Sequence, residues 1–307
     1  MFDQLKYQFK NGNTLIKLLI INAGIFIAIN VIGIIAFLGG FDWYTAGGGV
    51  KQLFLVEYLS ANSDVLLNLK RPWTFITYMF THEDQWHILV NMLIFYYIGS
   101  IFMDLLGEKR VLPLYIMGGL SGLLLYLIAF NLLPVFQGGR SPIIGASASV
   151  MAVMLATATY VPNYPIRLML IGQIPLKYIA GFYVLVDLLA LRGSANMGGH
   201  IAHLGGAIFG FVYAKQLTQG KDIAKYFYLF INLVRGLFVR QPKVKVVHRN
   251  KKADKTRTPK SQTTNKTTTN SADKQARIDA ILDKISKSGY ENLTPEEKDF
   301  LFNASKE

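Results

Sequence analysis

The residues of this chain that could do chemistry are concentrated in three short segments. Two of the segments, THEDQWHILVN and GGHIAHLGG, contain four of the five histidines, which are His82, His87, His200 and His203. The first segment also carries Asn91, four residues after His87, so these two side chains share one face of a helix. The third segment, IIGASASVMAVM, places Ser147 and Ser149 where small residues lead into an apolar run.

A serine hydroxyl beside an imidazole forms a nucleophile with its general base. A serine at the start of a helix also has free backbone N–H groups nearby, and these can hold an oxyanion. The side chains of His87 and Asn91 can supply further donors. The segments therefore predict acyl transfer by a serine–histidine pair. The segments that carry Ser147 and His203 contain no carboxylate, so we expect a dyad and not a triad.

The two serines are not equivalent. Residues two apart are separated by about 200° around a helix, so Ser147 and Ser149 face opposite ways. Gly145 stands two residues before Ser147, where a tight backbone entry is needed. We therefore predict Ser147 as the nucleophile and expect the Ser149 hydroxyl to bond back to a backbone carbonyl. His82 is expected to be a loop or cap residue at the membrane interface.

Long apolar runs determine the fold class. Five runs contain no Asp, Glu, Lys or Arg: 18–41, 86–103, 111–139, 141–166 and 193–214. A bilayer is crossed by roughly 20 apolar residues of helix, and these runs lack the alternation of a membrane barrel. The chain is therefore predicted to be an all-α polytopic membrane protein. A further span, interrupted by Lys177 and Asp187, is predicted to start at Pro175.

Helix direction brings the chemical residues together. With six spans, the even-numbered helices run the same way, so Asn91, Ser147 and His203 lie at similar depth near the external face. Along helix 6, His203 shares a stripe with Gly206 and Gly210, and small residues let membrane helices approach closely. If the neighbouring helix is helix 4, His203 meets the small-residue segment that carries Ser147.

These motifs resemble those of the rhomboid intramembrane serine proteases over roughly residues 71–217. The HxxxN pair corresponds to His87 and Asn91, and GAS at 145–147 is similar to the serine motif that opens helix 4. HLGGAIFG resembles the HxxGxxxG motif of helix 6 and starts at His203. The alternative register starting at His200 would lose both glycine matches, so His200 is interpreted as a neighbour of the catalytic residue.

The resemblance implies a six-transmembrane-helix bundle that hydrolyses peptide bonds within the membrane. Ser147 would attack the carbonyl, and His203 would act as base and then as acid. The oxyanion and the substrate backbone would be held at His87, Asn91, Gly145, Ala146 and the Ser147 N–H. Substrates would be single-pass membrane proteins. No cofactor, metal or nucleic acid is expected, and the sequence leaves the oligomeric state open.

The sequence departs from the family pattern at three places. Ala148 stands where the usual GxSG motif has its second glycine, near the expected contact of helices 4 and 6. Met151 occupies a position where many members carry an aromatic residue. The first-loop Trp-Arg pair appears as Trp73-Thr74, with Arg71 shifted.

Two other functions fit parts of the pattern. A rhomboid-like membrane-protein binder without activity would usually have lost the serine or the histidine, and both are present here. A metal site could use His82, His87, His200 and His203, since histidines at i and i+3 share a face. That hypothesis does not explain the GAS segment.

The chain divides by composition into four parts. Residues 1–218 are the predicted six-helix core with a long first loop at 39–85, and 219–240 is read as an interfacial amphipathic helix. Residues 241–270 are predicted to be a disordered basic linker. Residues 271–307 are predicted to form a small helical pair, with Thr294 and Glu297 in a capping box.

Basic residues near the helix ends indicate the orientation. The segments before helix 1, between helices 2 and 3, between helices 4 and 5, and after helix 6 are rich in Lys and Arg. All lie on one face if there are six spans. Both termini and the tail are therefore predicted to be cytoplasmic, in a multi-pass protein of the bacterial inner (plasma) membrane. The basic linker could hold anionic lipid headgroups or act only as a tether.

Overall fold

The computed structural model describes residues 2–41, 44–47, 50–136, 141–168, 172–193, 196–238 and 269–304. The chain forms two compact units, Met1–Pro242 and Lys243–Glu307. Almost all of the predicted linker at 241–270 lies outside the described residues.

The described residues are largely helical. The helices are α1 (Phe2–Asn11), α2 (Thr14–Leu38), α3 (Phe54–Leu59), α4 (Val65–Lys70), α5 (Thr74–Thr77), α6 (Gln85–Leu106), α7 (Val111–Leu132), α8 (Ser147–Tyr160), α9 (Leu176–Ala190), α10 (Met197–Thr218), α11 (Ala224–Phe238), α12 (Thr269–Ser288) and α13 (Pro295–Ala304). Short antiparallel pairs join β1 (Tyr44–Gly47) to β2 (Val50–Leu53), β3 (Ala61–Asn62) to β4 (Pro142–Ile143), and β5 (Pro165–Leu168) to β6 (Gly172–Pro175).

In the part of the chain that the structure describes, three helices are long and apolar enough to cross a membrane: Thr14–Leu38, Gln85–Leu106 and Glu108–Leu132, the last of which includes the 3₁₀ turn before α7. The helix Ser147–Tyr160 is apolar and shorter. Because a lipid-embedded backbone must satisfy its hydrogen bonds internally, such segments are stable as helices. The predicted all-α polytopic membrane architecture is confirmed, and the sixfold count of spans stays a prediction.

Glycines let α8 lie between two other helices at backbone contact. A Cβ atom added at Gly206 of α10 would lie 2.0 Å from the carbonyl oxygen of Ala148, and one at Gly210 would lie 2.1 Å from that of Ala152. At the contact with α7, a Cβ at Gly122 would lie 2.6 Å from the Ala148 methyl group. Close approach of this kind favours van der Waals packing between apolar helices. It fixes the start of α8 relative to α10.

The first loop holds the segment that leads into α8. Strand β3 pairs with β4, with Ala61 opposite Ile143 and Asn62 opposite Pro142. The hydroxyl of Tyr126 on α7 donates to the carbonyl of Ser141 in the same segment. These contacts leave the entry to α8 little freedom, although loop residues are usually the mobile part of a fold.

Helix α11 is attached to the turn between α6 and α7. The Arg110 guanidinium lies 2.7 Å from a carboxylate oxygen of Asp222, just before α11, and the Tyr228 hydroxyl donates to the carbonyl of Lys109. Leu229, Phe230 and Leu233 are exposed. An exposed apolar face on a short helix is typical of an interfacial position, and the interfacial position of this helix stays a prediction.

The second unit is a pair of short helices. Lys284 of α12 lies 2.8 Å from the carboxylate of Glu297 on α13. Thr294 and Glu297 exchange hydrogen bonds, from the Thr294 N–H to the carboxylate and from the Glu297 N–H to the hydroxyl. This reciprocal pair is a capping box, which satisfies two N–H groups at the start of α13.

Candidate active site

Ser147 is the first residue of α8, and Gly145 lies two residues before it. Gly145 has a φ angle of +115°, which residues with a side chain rarely adopt. A Cβ there would lie 2.7 Å from two ring atoms of His87. Gly145 therefore both turns the chain into the helix and leaves room for the His87 imidazole.

The backbone N–H groups just before Ser147 already have partners. The N–H of Gly145 donates to the carbonyl of Tyr78 at 2.8 Å, and that of Ala146 donates to Nε2 of His82 at 3.3 Å. An N–H group engaged in this way is not free to stabilise an oxyanion. The N–H groups of Gly145 and Ala146 are therefore engaged in this structure, and the part of these two residues in oxyanion or substrate binding stays a prediction. Within the described residues, the Ser147 N–H has no hydrogen-bond partner.

His82 is a buried support for this turn. It lies in the loop before α6, as the sequence predicts, and its side chain is fully buried. Its ring meets that of His87 edge to face, with the centroids 5.1 Å apart. Burial, followed by the nearby His87, lowers the pKa of His82 to about 4. A lowered pKa keeps the imidazole neutral above that pH, so Nε2 remains an acceptor for the Ala146 N–H at neutral pH.

His87 and Asn91 lie in the first two turns of α6. The Asp84 carboxylate caps this helix by accepting the His87 N–H at 2.9 Å. The amide of Asn91 donates to the His87 carbonyl, also at 2.9 Å. One amide proton of Asn91 is used in this bond, so its second proton remains available as a donor.

The predicted chemical residues line one cavity of about 380 Å³. Its walls include Ser147, His203, His87, Asn91, Met151 and Tyr183. The structure thus brings together segments from α6, α8 and α10. In the described residues Ser147 and His203 are not hydrogen-bonded to each other, and such bonds often tighten only when substrate is bound.

Ser149 lies away from this cavity. Its side chain is completely buried, and its hydroxyl lies 3.9 Å from the sulfur of Met79. A Cβ at Gly119 of α7 would come within 2.7 Å of the same hydroxyl. The predicted bond to a backbone carbonyl is not among the hydrogen bonds of the described residues.

A carboxylate does lie beside the catalytic candidates, contrary to the sequence expectation. Asp187 of α9 is buried, and its Oδ1 atom lies 2.8 Å from Nδ1 of His203. The same oxygen lies 2.8 Å from Nδ1 of His200. An imidazole that gives its Nδ1 proton to a carboxylate keeps Nε2 free as a base. The contact between Asp187 and His203 is the one that a catalytic triad contains, and the serine–histidine pair itself stays a prediction.

The two histidines share this carboxylate but not the cavity. They stand three residues apart on α10, with ring centroids 5.7 Å apart. Of the pair, only His203 is among the described residues that line the cavity with Ser147. His203 therefore contacts Asp187 and lines the cavity that contains Ser147, whereas His200 contacts Asp187 and is not among the described residues that line this cavity.

The motifs do not indicate Asp187, because it lies outside the sequence neighbourhood of each of them. It precedes His203 by 16 residues and lies on another helix. A signal was nevertheless present, since an acidic residue inside an apolar span is costly and is a functional candidate by default. Asp187 interrupts such a span in the sequence YIAGFYVLVDLLAL.

Comparison with known proteins gives two family matches. The rhomboid domain family matches residues 69–220. A family of unknown function, DUF6576, matches residues 264–307. The first match spans the helices that carry the cavity, and the second contains α12 and α13.

Curated relatives align with about half of the chain. Presenilin-associated rhomboid-like protein A, mitochondrial, of Danio rerio is 31% identical over 167 residues, which are 53% of this chain and 41% of that protein. RHOMBOID-like protein 12, mitochondrial, of Arabidopsis thaliana is 30% identical over 184 residues, 55% of this chain and 54% of that protein. Presenilin-associated rhomboid-like protein, mitochondrial, of Homo sapiens is 27% identical, with 56% and 43% covered. The chain spans about half the length of these relatives or less.

These relatives bear on location as well as on family. Their names place them in mitochondria and give no support to the expected bacterial inner membrane. The helices described above do establish a membrane protein. The match at 69–220 includes every predicted catalytic and oxyanion residue, and it agrees with the resemblance found at 71–217. Residues 69–220 are a rhomboid domain, and through it this chain belongs to the rhomboid family.

Proposed function

We propose that this chain is an intramembrane serine endopeptidase that cleaves transmembrane segments of single-pass membrane proteins. The observation that carries the proposal is the convergence of Ser147, His203, His87 and Asn91 on one cavity. Asp187 supports it, because its carboxylate meets the face of His203 that a triad requires. A binder without activity would not need a nucleophile, a base and oxyanion donors in one place.

The reaction follows from these positions. Ser147 Oγ attacks the scissile carbonyl carbon while Nε2 of His203 takes the hydroxyl proton. The carbonyl oxygen becomes an oxyanion, which accepts hydrogen bonds from the Ser147 N–H and from the side chains of His87 and Asn91. His203 then gives its proton to the leaving amine. Water, deprotonated in turn by His203, hydrolyses the acyl-enzyme and regenerates Ser147.

The site lies at the N-terminal ends of α6, α8 and α10. Hydrolysis in a membrane requires that water reach these helix ends. By the orientation argument these ends belong to the face opposite the basic segments, and both termini lie on the basic side. We propose this topology without assigning the organelle or membrane. Water would reach the cavity from the face at which these helices begin.

The direct test is cleavage of a model single-pass protein by the purified chain in liposomes, with products identified by mass spectrometry. We expect one principal cut within the transmembrane segment. If a panel of single-pass proteins binds the wild-type chain but stays intact, the protease proposal is overturned and the binder function is favoured. If activity requires a metal and is indifferent to the serine, a metallo-enzyme is favoured instead.

Replacing Asp187 with asparagine is expected to lower kcat by about 10² to 10⁴-fold with little change in KM. The asparagine amide can turn its NH₂ toward His203, which favours the wrong tautomer of the base. Otherwise its NH₂ occupies the buried position that Oδ2 has in Asp187. Within the described residues Oδ2 is buried without a partner. Cleavage rates over a range of substrate concentrations measure the two constants.

Asp222→Asn is the matched control for this change. Asp222 also contacts a basic side chain, that of Arg110, but it lies just before α11 and does not line the cavity. It is expected to leave kcat within about threefold. Unfolding in a denaturing detergent shows whether Asp187→Asn is still folded. A folded Asp187→Asn protein with wild-type kcat would show that the carboxylate has no role in positioning His203.

A further inference from the structure

The Asp187 cluster contains more donor atoms than a catalytic triad uses. Of the two histidines around this carboxylate, a catalytic triad uses only His203. His200 nevertheless makes an equally short contact, 2.8 Å, to the same oxygen. One ligand atom from each of Asp187, His200 and His203 lies within 4.8 Å of the other two. His82 and His87 are not part of this group, so it differs from the four-histidine site considered from the sequence.

A second observation also points to a ligand. Oδ2 of Asp187 is buried and has no hydrogen-bond partner within the described residues. Buried carboxylate oxygens normally find partners, because leaving one unpaired costs about 1–3 kcal/mol. A cation held between Oδ1 or Oδ2 and the two imidazoles would supply the missing interaction.

From these two observations we propose that Asp187, His200 and His203 form a Zn²⁺ site that regulates the protease. The proposal rests on the proposed function above for the regulatory part, and the metal site stands on its own geometry. Two imidazoles and one carboxylate are ligands that zinc prefers, and three protein ligands leave a fourth position for water. Histidines at i and i+3 on α10 present their rings to the same side.

The cluster is close to the size that zinc needs. Zinc–ligand bonds of about 2.1 Å in a tetrahedron place neighbouring ligand atoms about 3.4 Å apart. The carboxylate oxygen lies 2.8 Å from each Nδ1 atom, so the side chains must separate by roughly half an ångström. The His200 and His203 side chains are 18% and 20% exposed, which leaves an approach for the ion.

Zinc at this position would switch catalysis off. A metal on Nδ1 of His203 takes the lone pair of that nitrogen, so the proton of the neutral ring must lie on Nε2. Nε2 then cannot accept the proton of the Ser147 hydroxyl. The metal also withdraws the Asp187 carboxylate from its hydrogen bond to His203. Since α9 carries the carboxylate and α10 the histidines, the ion would also tie these two helices together.

The binding test uses the Ser147→Ala protein, so that it does not depend on catalysis. Zinc is titrated against a chromogenic chelator in detergent micelles, and we expect one ion per chain. His200→Gln in this background should weaken binding at least tenfold. His248→Gln, which changes the fifth histidine of the chain, should leave it unchanged. Mg²⁺ should not compete, because it prefers oxygen ligands.

The regulatory test adds zinc to the active protein in the cleavage assay. We expect inhibition that a chelator reverses, and a zinc concentration for half-inhibition that rises at least tenfold in His200→Gln. Stoichiometric binding by a chain that cleaves nothing would retain the metal site and overturn the proposed function. Absence of stoichiometric binding, or equal binding by His200→Gln, would overturn the site whatever the activity. Binding without inhibition would overturn the regulatory role.

Discussion

Alanine at Ser147 is expected to abolish cleavage, with a fall in kcat of about 10⁴ to 10⁶-fold. Among the described residues that line the cavity, this hydroxyl is the one nucleophile at a helix N-terminus, and it shares the cavity with His87, His203 and Asn91. Without this hydroxyl, no acyl-enzyme can form. The remaining oxyanion donors could then assist only the direct attack of water on the peptide carbonyl. The measurement is cleavage of a single-pass substrate in liposomes, with substrate binding followed separately.

Ser149→Ala is the matched control for this experiment. Both serines lie in the first turn of α8 and are changed by the same single atom, but Ser149 is buried against Met79 and lies outside the cavity. We expect its kcat to stay within about tenfold of wild type. Cleavage that persists in Ser147→Ala, or that is lost only in Ser149→Ala, would contradict the assignment of the nucleophile.

The Ser147→Ala protein also separates binding from chemistry. Removing one oxygen from a cavity wall leaves the other contacts to a substrate in place, so the intact substrate should still be captured. A variant that neither binds nor cleaves would indicate a change of fold. Because Ser147 begins the helix and does not cap it with its side chain, no large loss of helix stability is expected.

Much of the helical core could be predicted from the sequence because membranes impose a strong constraint. Runs without charge must become helices in lipid, and the structure has helices over each of them, such as α6 at Gln85–Leu106 and α7 at Val111–Leu132. Spacing of small residues also carries information about contacts. Gly206 and Gly210 lie against the backbone of α8, at the four-residue interval seen in the sequence.

The local hydrogen bonds of the site could not be predicted in this way. The N–H groups of Gly145 and Ala146 are taken by Tyr78 and His82, and the second of these bonds spans 64 residues of sequence. No periodicity indicates which loop atom meets which N–H group. The role of His82 depends on the path of the first loop, which the pairing of β3 with β4 determines.

Ala148 shows how a departure from the family pattern can be accommodated. Its carbonyl faces Gly206 on α10, whereas its methyl group faces Gly122 on α7. The extra methyl therefore lies where α7, α8 and α10 meet, because a Cβ at Gly122 would also lie 2.6 Å from the carbonyl oxygen of Ala202 on α10. A side chain at Gly122 would meet the Ala148 methyl group within 2.6 Å, so the tolerance for alanine depends on glycine across the interface.

The strongest test of the register on α10 compares its two histidines. His203→Ala is expected to reduce kcat by about 10⁴ to 10⁶-fold, because the base and the later acid are both lost. His200→Ala should retain measurable turnover, within about tenfold of wild type. Both rings contact the same oxygen of Asp187 at 2.8 Å. The two variants therefore change the same residue type, on the same helix, with the same hydrogen-bond partner.

What differs between the two histidines is access to the nucleophile, since only His203 lines the cavity with Ser147 among the described residues. If position relative to the carboxylate were decisive, the two variants would be equally impaired. If His200 were the base, the order of activities would reverse. The motif register that starts at His203 and includes Gly206 and Gly210 would then not identify the catalytic histidine. Activity of both variants, measured in liposomes at saturating substrate, therefore distinguishes a serine–histidine–aspartate site from a histidine pair that merely holds Asp187 in the bundle.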